Sequence, residues 1–246
     1  MKTYNNTFKH FLKDQGKIFK KTLKMSPHLF YKVFIVDGLF YALIFLVGYM
    51  ASLYLNTQTQ GISLQSLSTE EGIEVMKGIL WMVLLVSVLS FLAVSIIYGI
   101  CKGIIWNLYL KRRITLSHLS HFVLLSSGWL LFWGILILGG NTILIESVRP
   151  YFLLIALLLF FYITPIVYII FAKENRYRHA IFSGLSVSSK LHYFLLPYLG
   201  IAGIYILIML IFNLLPPILG LVFTLLYLVW IREYIVRIVE HVMKYK

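Results

Sequence analysis

Asp37 and Lys102 are the residues best placed to carry chemistry, because each interrupts a long apolar run of the sequence. A carboxylate or an ammonium inside a bilayer costs at least ~2.5–3.5 kcal/mol on insertion scales, so it must be compensated. Counted from the predicted cytoplasmic helix ends at ~1.5 Å per residue, both side chains lie roughly 10–12 Å deep. One interpretation is a proton or ion site that faces the bundle interior. The other, which we favour, is a structural ion pair, or a Lys102 side chain that extends to the headgroups.

The remaining polar and small residues of the apolar runs predict packing contacts. Asn141, Asn213 and Thr164 lie within or at the ends of these runs, where polar side chains usually form hydrogen bonds between helices. Gly99 and Gly103 have the spacing that lets two helices approach closely.

The sequence lacks the motifs that membrane enzymes and metalloproteins use. It contains no HExxH, no glycine-rich phosphate loop, no GxSxG and no pair of carboxylates within one apolar run. The lone Cys101 can form neither an intramolecular disulfide nor a metal cluster. We therefore predict a protein that is not an enzyme and has no cofactor or metal.

The composition excludes a water-soluble fold. The chain is 60% hydrophobic and 13% charged, with a mean hydropathy of +0.87. Its apolar runs are long enough to cross a hydrocarbon core of ~30 Å. They lie at about 30–55, 75–110, 121–145, 150–172, 193–215 and from 218 onwards.

These runs predict an all-α fold, a polytopic bundle of six transmembrane helices arranged as three hairpins. We assign residues 28–246 to this transmembrane domain and residues 1–27 to a basic amphipathic helix. Residues 173–194 predict a second helix on the cytoplasmic surface. The last helix is expected to continue past Trp230, with apolar residues on one face and Arg232, Arg237, Glu240 and Lys244 on the other.

The distribution of basic residues predicts the orientation in the membrane. The formal net charge is +13. When the six predicted spans are threaded through the membrane, Lys77 and Arg149 are the only basic residues on one side, and nearly all the others lie on the opposite side. Positively charged loops stay cytoplasmic, so we predict a multi-pass protein of the cell membrane with both termini on the cytoplasmic side. A basic surface also attracts nucleic acid, but this one-sided distribution favours the anionic inner leaflet as the partner and not nucleic acid.

Residues 3–24 predict an interfacial helix, with aromatic and aliphatic residues at three- and four-residue spacing and lysines between them. The alternative is a helix docked on the protein's own cytoplasmic face. Together with a basic cluster after the second span, this segment supplies the predicted contacts with lipid headgroups, which are Lys9, Lys13, Lys17, Lys20, Lys21, Lys24, Lys111, Arg112 and Arg113.

Three features together resemble a known group of proteins. They are the basic amphipathic lead-in, the embedded Asp37, and the segment RHAIFSGLSVSSKLHYFLLPYLG before the last hairpin. The pattern resembles six-helix bacterial and archaeal membrane proteins related to the membrane domain attached to some glycerophosphodiester phosphodiesterases. This resemblance implies a six-helix fold but no phosphodiesterase activity, because that chemistry belongs to a separate soluble domain.

Two functions agree with these features. The first is a non-enzymatic membrane protein whose basic cytoplasmic surface binds anionic lipid, and which is compatible with a protein partner or a homo-oligomer. The second is a small transporter or permease that uses Asp37 and Lys102.

The predicted topology can be tested by labelling single cysteines in a Cys101→Ser background. A membrane-impermeant thiol reagent is expected to label Gln65→Cys from outside and Arg112→Cys only from inside, because positively charged loops are retained in the cytoplasm. Labelling of Gln65→Cys from inside, or of Arg112→Cys from outside, would refute the threading.

Overall fold

The chain is helical throughout the part that the structure, a computed structural model, describes: residues 15–60, 70–212 and 217–244. No strand occurs within these ranges. The first helix, α1, covers residues 15–23 of the described chain. The others are α2 (Pro27–Thr59), α3 (Glu70–Tyr109), α4 (Leu116–Ile143), α5 (Arg149–Glu174), α6 (Tyr177–Ser188), α7 (Leu191–Phe212) and α8 (Pro217–Lys244).

Local sequence signals determine where the helices begin and end. Ser26 caps α2 by accepting a hydrogen bond from the Leu29 amide, and Pro27 follows at a position where no helical donor is needed. Thr115 caps α4 in the same way. At the end of α5, Asn175 adopts the left-handed conformation (φ 56°) that terminates many helices.

Within the residues that the structure describes, four helices are long and apolar enough to cross a membrane, namely α2, α3 over Gly72–Tyr109, α4 and α5. The α6–α7 pair, over Tyr177–Ser188 and Tyr193–Leu207, bends by 81° and adds a fifth span if the two helices are taken together. The prediction of several membrane helices is therefore confirmed. Six spans and their hairpin order remain predictions, and Asn213 lies outside the described residues.

The best-packed part of the protein surrounds the second half of α5. Every residue from Ile166 to Ala172 is buried, and α5 as a whole contacts α3, α4, α6 and α8. Phe122 of α4 packs edge-on against Tyr168 and Phe171 of α5. Residues 173–194 contain the helix α6, which packs closely on α5 with Gly184 against Val167, while its place on the cytoplasmic surface stays a prediction.

Gly99 and Gly103 bring α3 against α4, as their spacing predicted. A Cβ atom on Gly99 would lie 2.5 Å from Ser126 Oγ and 2.6 Å from the Val123 Cα atom. On Gly103 it would lie 3.0 Å from the Leu119 side chain. Gly99 is therefore required by the close approach of α3 to the backbone of α4, whereas at Gly103 a Cβ atom would be crowded by side chains alone.

We predict that Gly99→Ala lowers thermal stability, because part of the clash is with the Val123 backbone, which cannot rotate away. Overpacking of this kind costs roughly 1–3 kcal/mol. Gly78→Ala on the same helix is the matched control, since a Cβ there meets nothing within 4 Å. Thermal unfolding in a neutral detergent measures both variants. Equal melting temperatures would contradict the close approach.

Candidate functional site

Asp37, Lys102 and Arg232 form a charged cluster between α2, α3 and α8. Asp37 is fully buried, and its Oδ2 atom accepts a hydrogen bond from Arg232 Nη1. Lys102 Nζ lies 3.5 Å from Asp37 Oδ1 on the other side of the carboxylate. The structure therefore brings together the two residues that the sequence singled out and adds a third.

The expectation that Arg232 lies on the polar face of the last helix is wrong. Its side chain is only 11% exposed and points at Asp37. The reason is that α8 continues unbroken from the apolar region into the basic end of the chain, so the residues around Arg232 still pack on the bundle. Tyr109 of α3 holds α8 in place by donating a hydrogen bond of 2.6 Å to the Val229 carbonyl, less than one turn away.

Lys102 is held by its charge and by aromatic rings. Its ammonium lies 4.6 Å from the centre of the Phe40 ring and 5.7 Å from that of Tyr98, both within the range of cation–π attraction. At 3.5 Å the contact with Asp37 is an ion pair at the outer limit of a hydrogen bond. The ammonium makes no shorter polar contact with any residue of the described ranges. The prediction that Lys102 simply extends to the headgroups is not supported by this placement.

A cavity of about 490 Å³ opens beside the charged cluster. Lys102 and Arg232 line it, whereas Asp37 lies behind them and does not. The rest of the wall is apolar or aromatic apart from Thr164, and the whole wall comes from five helices. It includes Phe40, Tyr41, Tyr98, Trp106, Phe160, Phe161, Thr164, Pro165, Tyr168, Tyr198, Ile201, Ala202, Tyr205, Tyr227, Leu228, Ile231 and Ile235.

The cavity has a charged end and an aromatic end. Asp37 meets Lys102 while Phe40 meets Tyr98, so α2 and α3 run antiparallel and their aromatic residues lie one turn beyond the charges. Four residues of the wall are exposed, namely Tyr41 of α2, Phe161 of α5, and Ala202 and Tyr205 of α7. Because three of the four belong to α5 and α7, we infer that the cavity opens between these two helices. A protein in a bilayer would present that opening to lipid chains.

Two polar groups of the wall differ in how they are satisfied. Thr164 Oγ1 accepts a hydrogen bond of 2.9 Å from Trp129 Nε1, which confirms the predicted contact between helices. Trp106 Nε1 is buried and has no hydrogen-bond partner among the described residues. No group of three His, Cys, Asp or Glu residues that could hold a metal occurs in the same part of the chain.

Most of the predicted headgroup contacts lie apart from this site. Lys17, Lys20, Lys21, Lys24, Lys111, Arg112 and Arg113 are exposed, while Lys9 and Lys13 lie outside the described residues. Arg112 also donates a hydrogen bond of 3.1 Å to the Ala172 carbonyl near the end of α5. Whether any of these residues contacts lipid stays a prediction.

Helix α1 is docked on α8, the alternative placement for this segment. Ile18 and Thr22 are buried, and Phe19 packs edge-on against Trp230 and Tyr234 of α8. The apolar face of the described part of α1 is therefore at least partly covered by protein.

The charged cluster predicts that substitutions of its members lower thermal stability by unequal amounts. Asp37→Leu is expected to be the most harmful, because it leaves two neighbouring cations without a counterion; losing one partner of a buried pair costs ~3–5 kcal/mol. Lys102→Leu leaves the Asp37–Arg232 pair intact and is expected to be much milder. Thermal unfolding in a neutral detergent measures the difference, with Lys77→Leu, an exposed lysine of the same helix, as control. The cluster would be refuted if Asp37→Leu were harmless.

Comparison of the chain with protein families, characterised proteins and solved structures found no match. The resemblance to the membrane domain attached to glycerophosphodiester phosphodiesterases therefore stays an expectation. The interpretation of the site depends on its own geometry.

Proposed function

We propose that the protein binds a lipid-like ligand in the cavity between α2, α3, α5, α7 and α8, and that it acts as a membrane binding or transport protein without catalysing a reaction. The observation that carries this proposal is a half-open cavity with apolar and aromatic walls and two cationic side chains at one end. In our proposal the protein has six spans in the cell membrane, and both termini are cytoplasmic.

The size and composition of the cavity support this function. Ligand pockets typically enclose ~300–1,000 Å³ and combine apolar walls with a few polar groups that fix orientation. The volume of about 490 Å³ and the placement of Lys102 and Arg232 fit that description. Charged residues inside membrane spans commonly mark the path or site of a ligand.

The basic cytoplasmic surface supports a secondary role in attachment to anionic lipid. The exposed lysines of α1 can each contribute roughly 1 kcal/mol of attraction to an anionic leaflet. However, Ile18 is buried against the protein and Phe19 packs on Trp230, so α1 has less apolar surface left to insert into the bilayer. The geometry therefore favours the cavity over the surface as the main functional site.

The cavity can be tested by electron paramagnetic resonance on the protein in phosphatidylcholine nanodiscs. The two probes are hexadecyl phosphate and hexadecanol, each spin-labelled near the chain end. Ala202→Trp fills part of the cavity, so we expect it to reduce the immobilised fraction of at least one probe. Leu199→Trp, an exposed position on the same helix that does not line the cavity, is the matched control and should not. Equal immobilised fractions in both variants, for both probes, would refute the proposed function.

A further inference from the structure

We infer that the ligand is a single-chain amphiphile with an anionic, phosphate-like head, and that Lys102 binds this head while Arg232 stays bonded to Asp37. This inference rests on the proposed function and specifies the ligand of the same cavity. It follows from the charge that faces the cavity, from the donors left without acceptors, and from the shape of the walls.

The charge facing the cavity is positive. Two cations line the wall, and Asp37, the one carboxylate paired with them in the described part of the chain, is fully buried and does not line the cavity. With all three groups ionised, one positive charge remains in excess (two cations minus one carboxylate). Electrostatic interactions are strong where water is excluded. An anion is therefore attracted to this end of the cavity, and a cationic amphiphile is repelled.

The hydrogen-bond donors at this end are not used up by the protein. Lys102 carries three N–H donors, and within the described residues its only charged partner is Asp37 at 3.5 Å. Trp106 also lines the cavity, but its Nε1 atom is buried, so Lys102 is the donor that faces the ligand. A phosphate head offers several acceptor oxygens and a charge that Lys102 binds well. An uncharged head leaves the excess charge uncompensated.

The walls of the cavity determine the size and the apolar character of the rest of the ligand. Beyond Lys102 the wall is formed by Phe40, Tyr41, Phe160 and Phe161, and it opens between α5 and α7. A volume of about 490 Å³ suits one molecule of drug size (pockets enclose ~300–1,000 Å³), so we assign it to one chain. Because lipid tails are as apolar as these walls, the chain gains little by leaving the bilayer. Discrimination between ligands must therefore come from the head.

The test compares the two spin-labelled probes in the same nanodiscs. The quantity measured is the part of the immobilised fraction that Ala202→Trp removes, since this part reports the cavity alone. We expect hexadecyl phosphate to exceed hexadecanol by about tenfold in apparent affinity, the value that one charge-assisted hydrogen bond supplies. Lys102→Gln should remove the preference and Lys102→Arg should retain it. Lys77→Gln makes the same change of charge on an exposed part of α3 and should have no effect.

The outcomes separate this inference from the proposed function. If the two probes enter the cavity equally, or if Lys102→Gln keeps the preference, the inference fails and the proposed function stands. If Ala202→Trp changes neither probe, the proposed function fails as well. Displacement of hexadecyl phosphate by an excess of inorganic phosphate would mean that the site binds free phosphate. That result would also refute the inference that the ligand is an amphiphile. Lys102→Gln is used in place of an Arg232 variant because it leaves the Asp37–Arg232 pair intact.

Discussion

The compensation of one buried carboxylate organises the centre of this protein. Asp37 has no exposed surface, so its charge must be balanced by groups that two other helices bring to it. Arg232 supplies a hydrogen bond and Lys102 supplies a second charge. Helices α2, α3 and α8 must therefore stay within reach of one another, and the Tyr109–Val229 hydrogen bond maintains part of that spacing. A buried ion pair adds little net stability, but an unmatched charge costs a great deal. The cluster thus constrains which helices are neighbours more than it stabilises the fold.

Much of the helical architecture is predictable from apolar runs alone, because a helix is the simplest way to satisfy the backbone in a membrane. The Asp37–Lys102 contact was predictable as well, since both residues lie at similar depth in adjacent helices. Arg232 was missed because it follows an apolar run and begins a basic stretch, which is also the pattern of a helix end in water. The sequence did contain one indication of a further partner, namely Asp37. A buried carboxylate can accept several hydrogen bonds, and a single lysine supplies few of them. The cavity could not be predicted, since its walls come from five helices.

The packing is uneven along the helices, and the membrane explains why this is tolerated. The second half of α5 is enclosed by protein, whereas most of α3 before Ser95 is exposed apolar surface. In water such a surface would drive aggregation. Between lipid chains it carries no comparable penalty, because those chains are as apolar as the side chains. Tight contacts are needed only where helices hold each other in register, as they do at Gly99.

The opening between α5 and α7 has a consequence for how any affinity should be expressed. An apolar space in contact with a bilayer is not left dry and vacant, because neighbouring hydrocarbon can flow into it. Occupation is then an exchange of one membrane component for another, governed by the ratio of their mole fractions and not by a concentration in water. The occupant would change with the composition of the surrounding leaflet, even at a constant number of protein molecules. A detergent used for extraction would compete for the cavity in the same way. It would therefore determine what occupies the cavity when the protein is first observed.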